Sequence, residues 1–184
     1  MRRVAEDVFH VPLSPRDGVN AYLLGDVVVD AGTKGAAKRL IKALKGHAVG
    51  AHALTHGHPD HAGGSKRLAE AFEVPVWVGE RDRADVESGR PAAAETWARP
   101  AVARLSNYEP VALAPEGDVL FNMNLLTTVP GLREPPAILT RDPRLNRQSA
   151  RRLAALEPEL ALFGHGPPLR DPAALTAFAA ELDA

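Results

Sequence analysis

The chain has 184 residues and a formal net charge of −1. That is enough for one domain with a single core over 1–184, and it gives no global electrostatic preference for nucleic acid or an anionic membrane. No run of 18 apolar residues is present to span a bilayer. Cysteine is absent, which removes disulfides, thiolate metal sites and cysteine nucleophiles together, so any metal ion must be held by histidine and carboxylate.

Residues 1–7 turn acidic before any apolar run forms, so no signal-peptide core is expected and the expected location is cytoplasmic. His10, between Phe9 and Val11, is expected on a strand with its ring at the surface. Residues 20–25 and 27–30 read as two short strands around a Gly-Asp turn. Val27, Val28 and Val29 form the β-branched run of a strand buried on both faces. Ala37, Leu40, Ile41 and Leu44 recur at helical spacing and predict a helix over 34–45, closed by Gly46. Residues 49–55 read as the next strand. A second helix is expected from Gly63-Gly64-Ser65 to Phe72 with Ser65 as N-cap, then a strand region over 74–78. Strand and helix alternate, which predicts a layered α/β fold.

Residues 80–104 are expected as helix and loop over the surface. Residues 125–136 carry too much proline for a helix, leaving a substrate-covering loop or a long connection. Residues 144–156 predict an amphipathic helix with Leu145, Ser149, Leu153 and Leu156 on one side and Arg151-Arg152 on the polar face. Residues 160–163 read as a short strand stopping at Gly164-His165-Gly166. Asp171 caps, and Pro172 opens, a last helix over 173–182.

Three of the seven histidines, His56, His58 and His61, fall within six residues with Asp60 among them. Gly57 and Pro59 make the segment a loop at the end of a strand, where a rigid scaffold can aim convergent ligands. Imidazole and carboxylate suit zinc, iron or manganese, and the lack of thiolates fits a catalytic rather than a structural site. An inert solvated loop would spend four potential ligands for no purpose. His10, His47 and His52 are expected to be structural, and Tyr22, Trp77, Trp97 and Tyr108 are too scattered to stack bases.

The stretch Thr55-His56-Gly57-His58-Pro59-Asp60-His61-Ala62-Gly63-Gly64 resembles the His-x-His-x-Asp-His signature of the metallo-β-lactamase superfamily, especially its glyoxalase-II-like and lactonase-like hydrolases. Asn20-Ala21-Tyr22-Leu23 with Asp30-Ala31-Gly32, Gly117-Asp118-Val119-Leu120-Phe121 and Leu162-Phe163-Gly164-His165-Gly166 resemble further segments of that family. The resemblance implies a four-layer αββα sandwich. It implies a first metal position at His56 and His58, a second at Asp60, His61 and His165, and Asp118 bridging the two. One or two divalent ions are implied, zinc first, with iron or manganese as alternatives. The activity implied is hydrolysis of a small ester, thioester or lactone through a metal-bound hydroxide, with Asp60 orienting the water as ligand or proton acceptor. The partner is then a small-molecule substrate.

The chain departs from the family at one place. The family's third first-position histidine is missing, since no histidine occurs between His61 and His165. The deficit is roughly 20–30 residues, about two strands of the second sheet, judged from ordinary strand and turn lengths. A shortened sheet leaves an unpaired edge, across which a homodimer could form. Asp118 is read as the bridging ligand because residues 120–124 suit that segment, the other reading being a turn aspartate. Asn107 and Glu109 are the nearby residues able to fill the gap. The competing expectation is a metal-binding but catalytically impaired member. A nuclease of the same fold is disfavoured by the net charge and short length.

Overall fold

The computed structural model describes residues 1–91, 109, 126–128, 131–135, 140 and 142–182. They belong to two units, 1–121 and 122–184. Asp118, Asn107, most of 92–125 and the expected strand deficit lie outside the described residues.

The first unit is built on one mixed sheet whose strands lie side by side in chain order. β1 (Arg2–Ala5), β2 (Val8–Pro12), β3 (Asn20–Leu24) and β4 (Val27–Val29) pair antiparallel. β5 (Ala51–Leu54) and β6 (Val76–Val78) then add in parallel. Parallel neighbours need crossovers, which are α1 (Ala37–Leu44) before β5 and α3 (Ser65–Phe72) before β6. Leu40 and Leu44 of α1 and Leu68 of α3 are fully buried with Leu13, Leu23 and Val28. Burying each such leucine contributes about 1.5–3 kcal/mol. The parallel arrangement sends the segments after β4 and β5 out of the same end of the sheet, where loops converge on ligands in such folds.

Several expectations are corrected. Of the three valines of β4 only Val28 is fully buried, so the strand is central through its pairing with β3 and β5. The helix expected from residue 34 starts at Ala37, because Gly32 (φ 68°) makes a left-handed bend against Leu13 and a turn follows it. Gly64, not Ser65, is the N-cap of α3; the Ser65 hydroxyl is committed to His52. The histidine segment is not loop throughout: α2 (Pro59–Ala62) is one helical turn with Pro59 at its start, where a fixed φ and missing N–H suit a helix. The His10 ring is fully buried rather than at the surface. β1 was not anticipated, and its Arg2 donates to His10 Nδ1 (3.0 Å), while His10 Nε2–H donates to Asn20 Oδ1 (2.7 Å) and the ring stacks on Tyr22.

In the second unit the proline-rich stretch is more than an irregular connection. It holds an antiparallel pair, β7 (Leu126–Thr128) and β8 (Gly131–Arg133). Two helices follow, α5 (Pro143–Ala154) and α6 (Pro172–Glu181), capped by Asp142 and Asp171 through Leu145 N–H and Ala174 N–H. The buried face of α5 is Ala150 and Ala154 rather than the leucine row, and Leu156 is 70% exposed. These alanines pack with Phe163, Leu175 and Ala179. Residues 160–163 contribute only a bridge, Ala161 with Leu169. Among the described residues no helix is long and apolar enough to cross a membrane.

Candidate metal centre

The segments leaving β4 and β5 are laced together by their backbones. Asp30 N–H donates to Ala53 O (2.9 Å), Ala31 N–H to His61 O (2.8 Å) and Gly64 N–H to Gly32 O (2.9 Å). The approach is close enough to require both glycines: a methyl group at Gly63 would lie 2.3 Å from Pro59 O, and one at Gly64 would lie 2.4 Å from Ala31 O. His56, Asp60 and His61 are thereby anchored to the end of β4.

Asp30 is the hub of this arrangement. It is 1% exposed and sits at φ 58°, a conformation that aspartate tolerates better than most residues. Its carboxylate accepts from Thr55 N–H (2.8 Å), from the Thr55 hydroxyl (2.8 Å to Oδ2) and from His61 Nδ1–H (2.7 Å). The Thr55 hydroxyl has one hydrogen, given to Asp30, so its oxygen accepts from His56 Nδ1–H at 3.0 Å. Both histidines are therefore held as the Nδ1–H tautomer with the lone pair on Nε2, the orientation that a carboxylate behind a ligand histidine imposes. The rings of His56 and His61 lie 4.1 Å apart, and that of His58 lies 4.4 Å from His56. Asp60 Oδ2 is 3.7 Å from His61 Nε2. His56 and His61 are buried; His58 and Asp60 are half-buried.

The electrostatics describe a place for a cation. Burial alone would lower the His61 pKa, but the charge and hydrogen bond of Asp30, with the charge of Asp60, outweigh it and the net shift is upward. Burial alone would raise Asp30, but His61 and the Thr55 hydrogen bonds hold it below its ordinary range. A histidine whose surroundings favour positive charge at Nε2 suits a metal ion there equally well, and the donor set of imidazole nitrogens and a carboxylate fits a divalent transition metal.

Of the residues expected at the site, the first unit brings together His56, His58, Asp60 and His61. His165 lies in the second unit, half-buried, in the turn closed by the Ala161–Leu169 backbone bonds. Asp118 lies outside the described residues. Glu109, considered as a replacement ligand, has other partners: Lys34 Nζ at 2.9 Å and Arg67 Nη2 at 3.8 Å, and the Lys34 hydrogen bond lowers its pKa. His47 packs edge-on against Phe9, and His52 is enclosed in the sheet, both structural as expected. Asp30 was not anticipated as a site residue. Its signal was an aspartate directly after the valine strand, which the parallel pairing of β4 with β5 brings beside the end of β5 and Thr55.

Comparison with known proteins agrees with this geometry. The family model of the metallo-β-lactamase superfamily matches residues 14–111, more than half of the chain and all of the histidine segment. The chain is 28% identical to the probable metallo-hydrolase YflN of Bacillus subtilis (strain 168), covering 78% of this chain and 76% of that protein. Among solved structures it resembles a B3 metallo-β-lactamase described as the first with an active site glutamic acid (TM-score 0.68, 15% identity, 97% of this chain and 85% of that one). It also resembles a Cronobacter sakazakii metallo-β-lactamase with a HARLDQ motif (0.67, 17%, 97% and 92%). MEM-A1, a subclass B3 enzyme from a soil metagenome library, is matched over 65% of this chain (0.50, 22%), which spans only 47% of MEM-A1. The chain belongs to the metallo-β-lactamase superfamily of metallohydrolases and has its fold.

Proposed function

We propose that the protein is a metal-dependent hydrolase of a small ester, thioester or lactone, with zinc as its ion. The observation that carries this is the pair of buried histidines, His56 and His61, whose Nδ1–H groups are tied through Thr55 and Asp30 so that both present Nε2 beside Asp60. By the family resemblance, His56 and His58 would hold a first ion, Asp60, His61 and His165 a second, and Asp118 would be shared by both. A divalent ion, when bound, supplies Lewis acidity that brings the pKa of water toward neutrality and polarises a carbonyl. Asp30 holds the His61 proton on Nδ1. Thr55 does the same for His56. Asp60, as ligand or as proton acceptor, would orient the attacking water. No side chain competes as nucleophile, since the chain has no cysteine and no Gly-x-Ser-x-Gly elbow.

A second reading, a metal-binding but impaired member, is favoured by one specific observation. No histidine lies between His61 and His165, and Glu109 is engaged by Lys34 and Arg67. The test is elemental analysis of protein purified without added metal, followed by a panel of thioesters and lactones assayed with and without chelator. The expected result is metal-dependent hydrolysis that falls about a hundredfold or more in His61→Ala, since losing a ligand costs more than the 10–100-fold typical of losing a group behind it. Hydrolysis surviving both chelation and that substitution overturns the proposal. Bound metal with no turnover selects the second reading.

A further inference from the structure

Gly57, between His56 and His58, lies against a segment not yet assigned a role. A methyl group there would sit 3.2 Å from Val86 Cγ2, 3.4 Å from Asp85 Cβ and 3.5 Å from Asp82 Oδ1. The histidine segment thus rests on the turn Glu80–Asp82 and on α4 (Arg83–Ser88). Val86 anchors that support, fully buried in one cluster with Leu54 at the end of β5 and Ala62 of α2. The Gly57 N–H donates to Asp82 Oδ1 at 3.3 Å. Asp82 ends the turn in right-handed helical backbone (φ −101°, ψ −3°) and leads straight into α4. Its side chain makes no capping bond to that helix and reaches Gly57.

We propose that Asp82 is a positioning residue for the metal loop. By accepting the Gly57 N–H it fixes the peptide between His56 and Gly57, and with it the separation and tilt of the two histidine rings. This rests on the metal-binding reading above. Such support matters most at the first position, to which the sequence between His61 and His165 adds no further histidine and where a wandering loop would cost His56 and His58 affinity directly.

The probe is Co2+, titrated into metal-free protein and followed by its visible absorption, in the wild type, Asp82→Ala, Asp82→Asn and Asp82→Ser. Asparagine keeps an acceptor oxygen at the same reach. Serine keeps a small polar side chain but is too short to reach Gly57. The expected result is Co2+ affinity about tenfold weaker in the alanine and serine variants and within about threefold of wild type in the asparagine variant, the range typical of groups behind a ligand. Thermal melting of the serine variant should match the wild type, separating loop positioning from helix stability. Wild-type affinity in the serine variant, or an asparagine variant as weak as alanine, overturns the assignment. If Asp82→Ala fails to fold, the asparagine and serine pair still decides. A wild-type protein that takes up no Co2+ ends the metal reading and this proposal together, whereas equal binding by all four proteins ends only this one.

Discussion

Two buried histidines nine residues apart are put to opposite uses. His52, inside β5, donates from Nδ1–H to Val28 O and accepts at Nε2 from the Ser65 hydroxyl, both at 2.9 Å. His61, on α2, donates from Nδ1–H to the Asp30 carboxylate and has Asp60 near Nε2. Their exposures are nearly the same, 0% and 2%. Burial pushes the His52 pKa down, and the Val28 hydrogen bond and the Asp30 charge do not reverse it. At His61 two carboxylates reverse it. The charge of the partner therefore decides what a buried imidazole is for. Neutral dipoles make His52 a tie between β4, β5 and α3, while anions make His61 a seat for a cation.

The largest expected effect erases that difference. Asp30→Ala removes the acceptor of Thr55 N–H, the Thr55 hydroxyl and His61 Nδ1–H at once, and puts alanine at φ 58°. Breaking a buried charged pair in this way costs about 3–5 kcal/mol, and metal affinity should fall about 10–100-fold as the His61 tautomer loses its anchor. Asp30→Asn, which tolerates that φ and keeps one acceptor, should lie between. Denaturant unfolding and metal titration of the three proteins measure both quantities. Unchanged metal affinity in either variant would remove Asp30 from its place behind the ligands.

A second expectation sharpens the comparison through pH. The His52 pKa in the fold lies below its ordinary value of 6.5, so below that pH the unfolded chain binds the extra proton and the folded one resists it. The stabilisation is present above about pH 6.5 and is lost as pH falls from there through the lower folded-state pKa, with a slope of at most about 1.4 kcal/mol per pH unit for one group. His52→Asn keeps a donor for Val28 O and removes the titration. Urea unfolding of metal-free protein between pH 7 and 5, wild type against variant, isolates the effect, because the contributions of Asp30 and His61 are common to both. Parallel pH profiles would show that His52 does not titrate on unfolding.

What the sequence disclosed divides along the same physical line. The strands β3 to β6 and helices α1 and α3 were legible because β-branched runs and three-to-four-residue spacing are local. The histidine segment was legible because its ligands are packed into six residues. Asp30 and Asp82 were not, since each acquires its partner only when distant segments meet: Asp30 through the parallel pairing of β4 with β5, Asp82 through a contact 25 residues back at Gly57. His10 was misjudged because β1, its cover, carries arginines that do not announce a strand. In α5 the leucine spacing pointed to the wrong face, since packing against Leu175 and Ala179 admits small side chains, and Ala150 and Ala154 fill that contact.

The smallest effect is expected at the far side of His52. Ser65→Ala deletes the hydroxyl that donates to His52 Nε2 at 2.9 Å and leaves a buried nitrogen without that donor, a loss in the range of about 1–3 kcal/mol. Ser65 is the first residue of α3 and its hydroxyl gives the helix no cap, so alanine, the better helix former, returns a few tenths of a kcal/mol. The net loss should be about 1 kcal/mol by urea unfolding near neutral pH. Metal affinity should stay within about threefold of wild type, because no ligand histidine is tied to Ser65, whereas Asp30 holds His61 directly and His56 through Thr55. A fall in affinity as large as that of Asp30→Ala would mean that the tie through His52 reaches the metal loop, and the two histidines would then be one device rather than two.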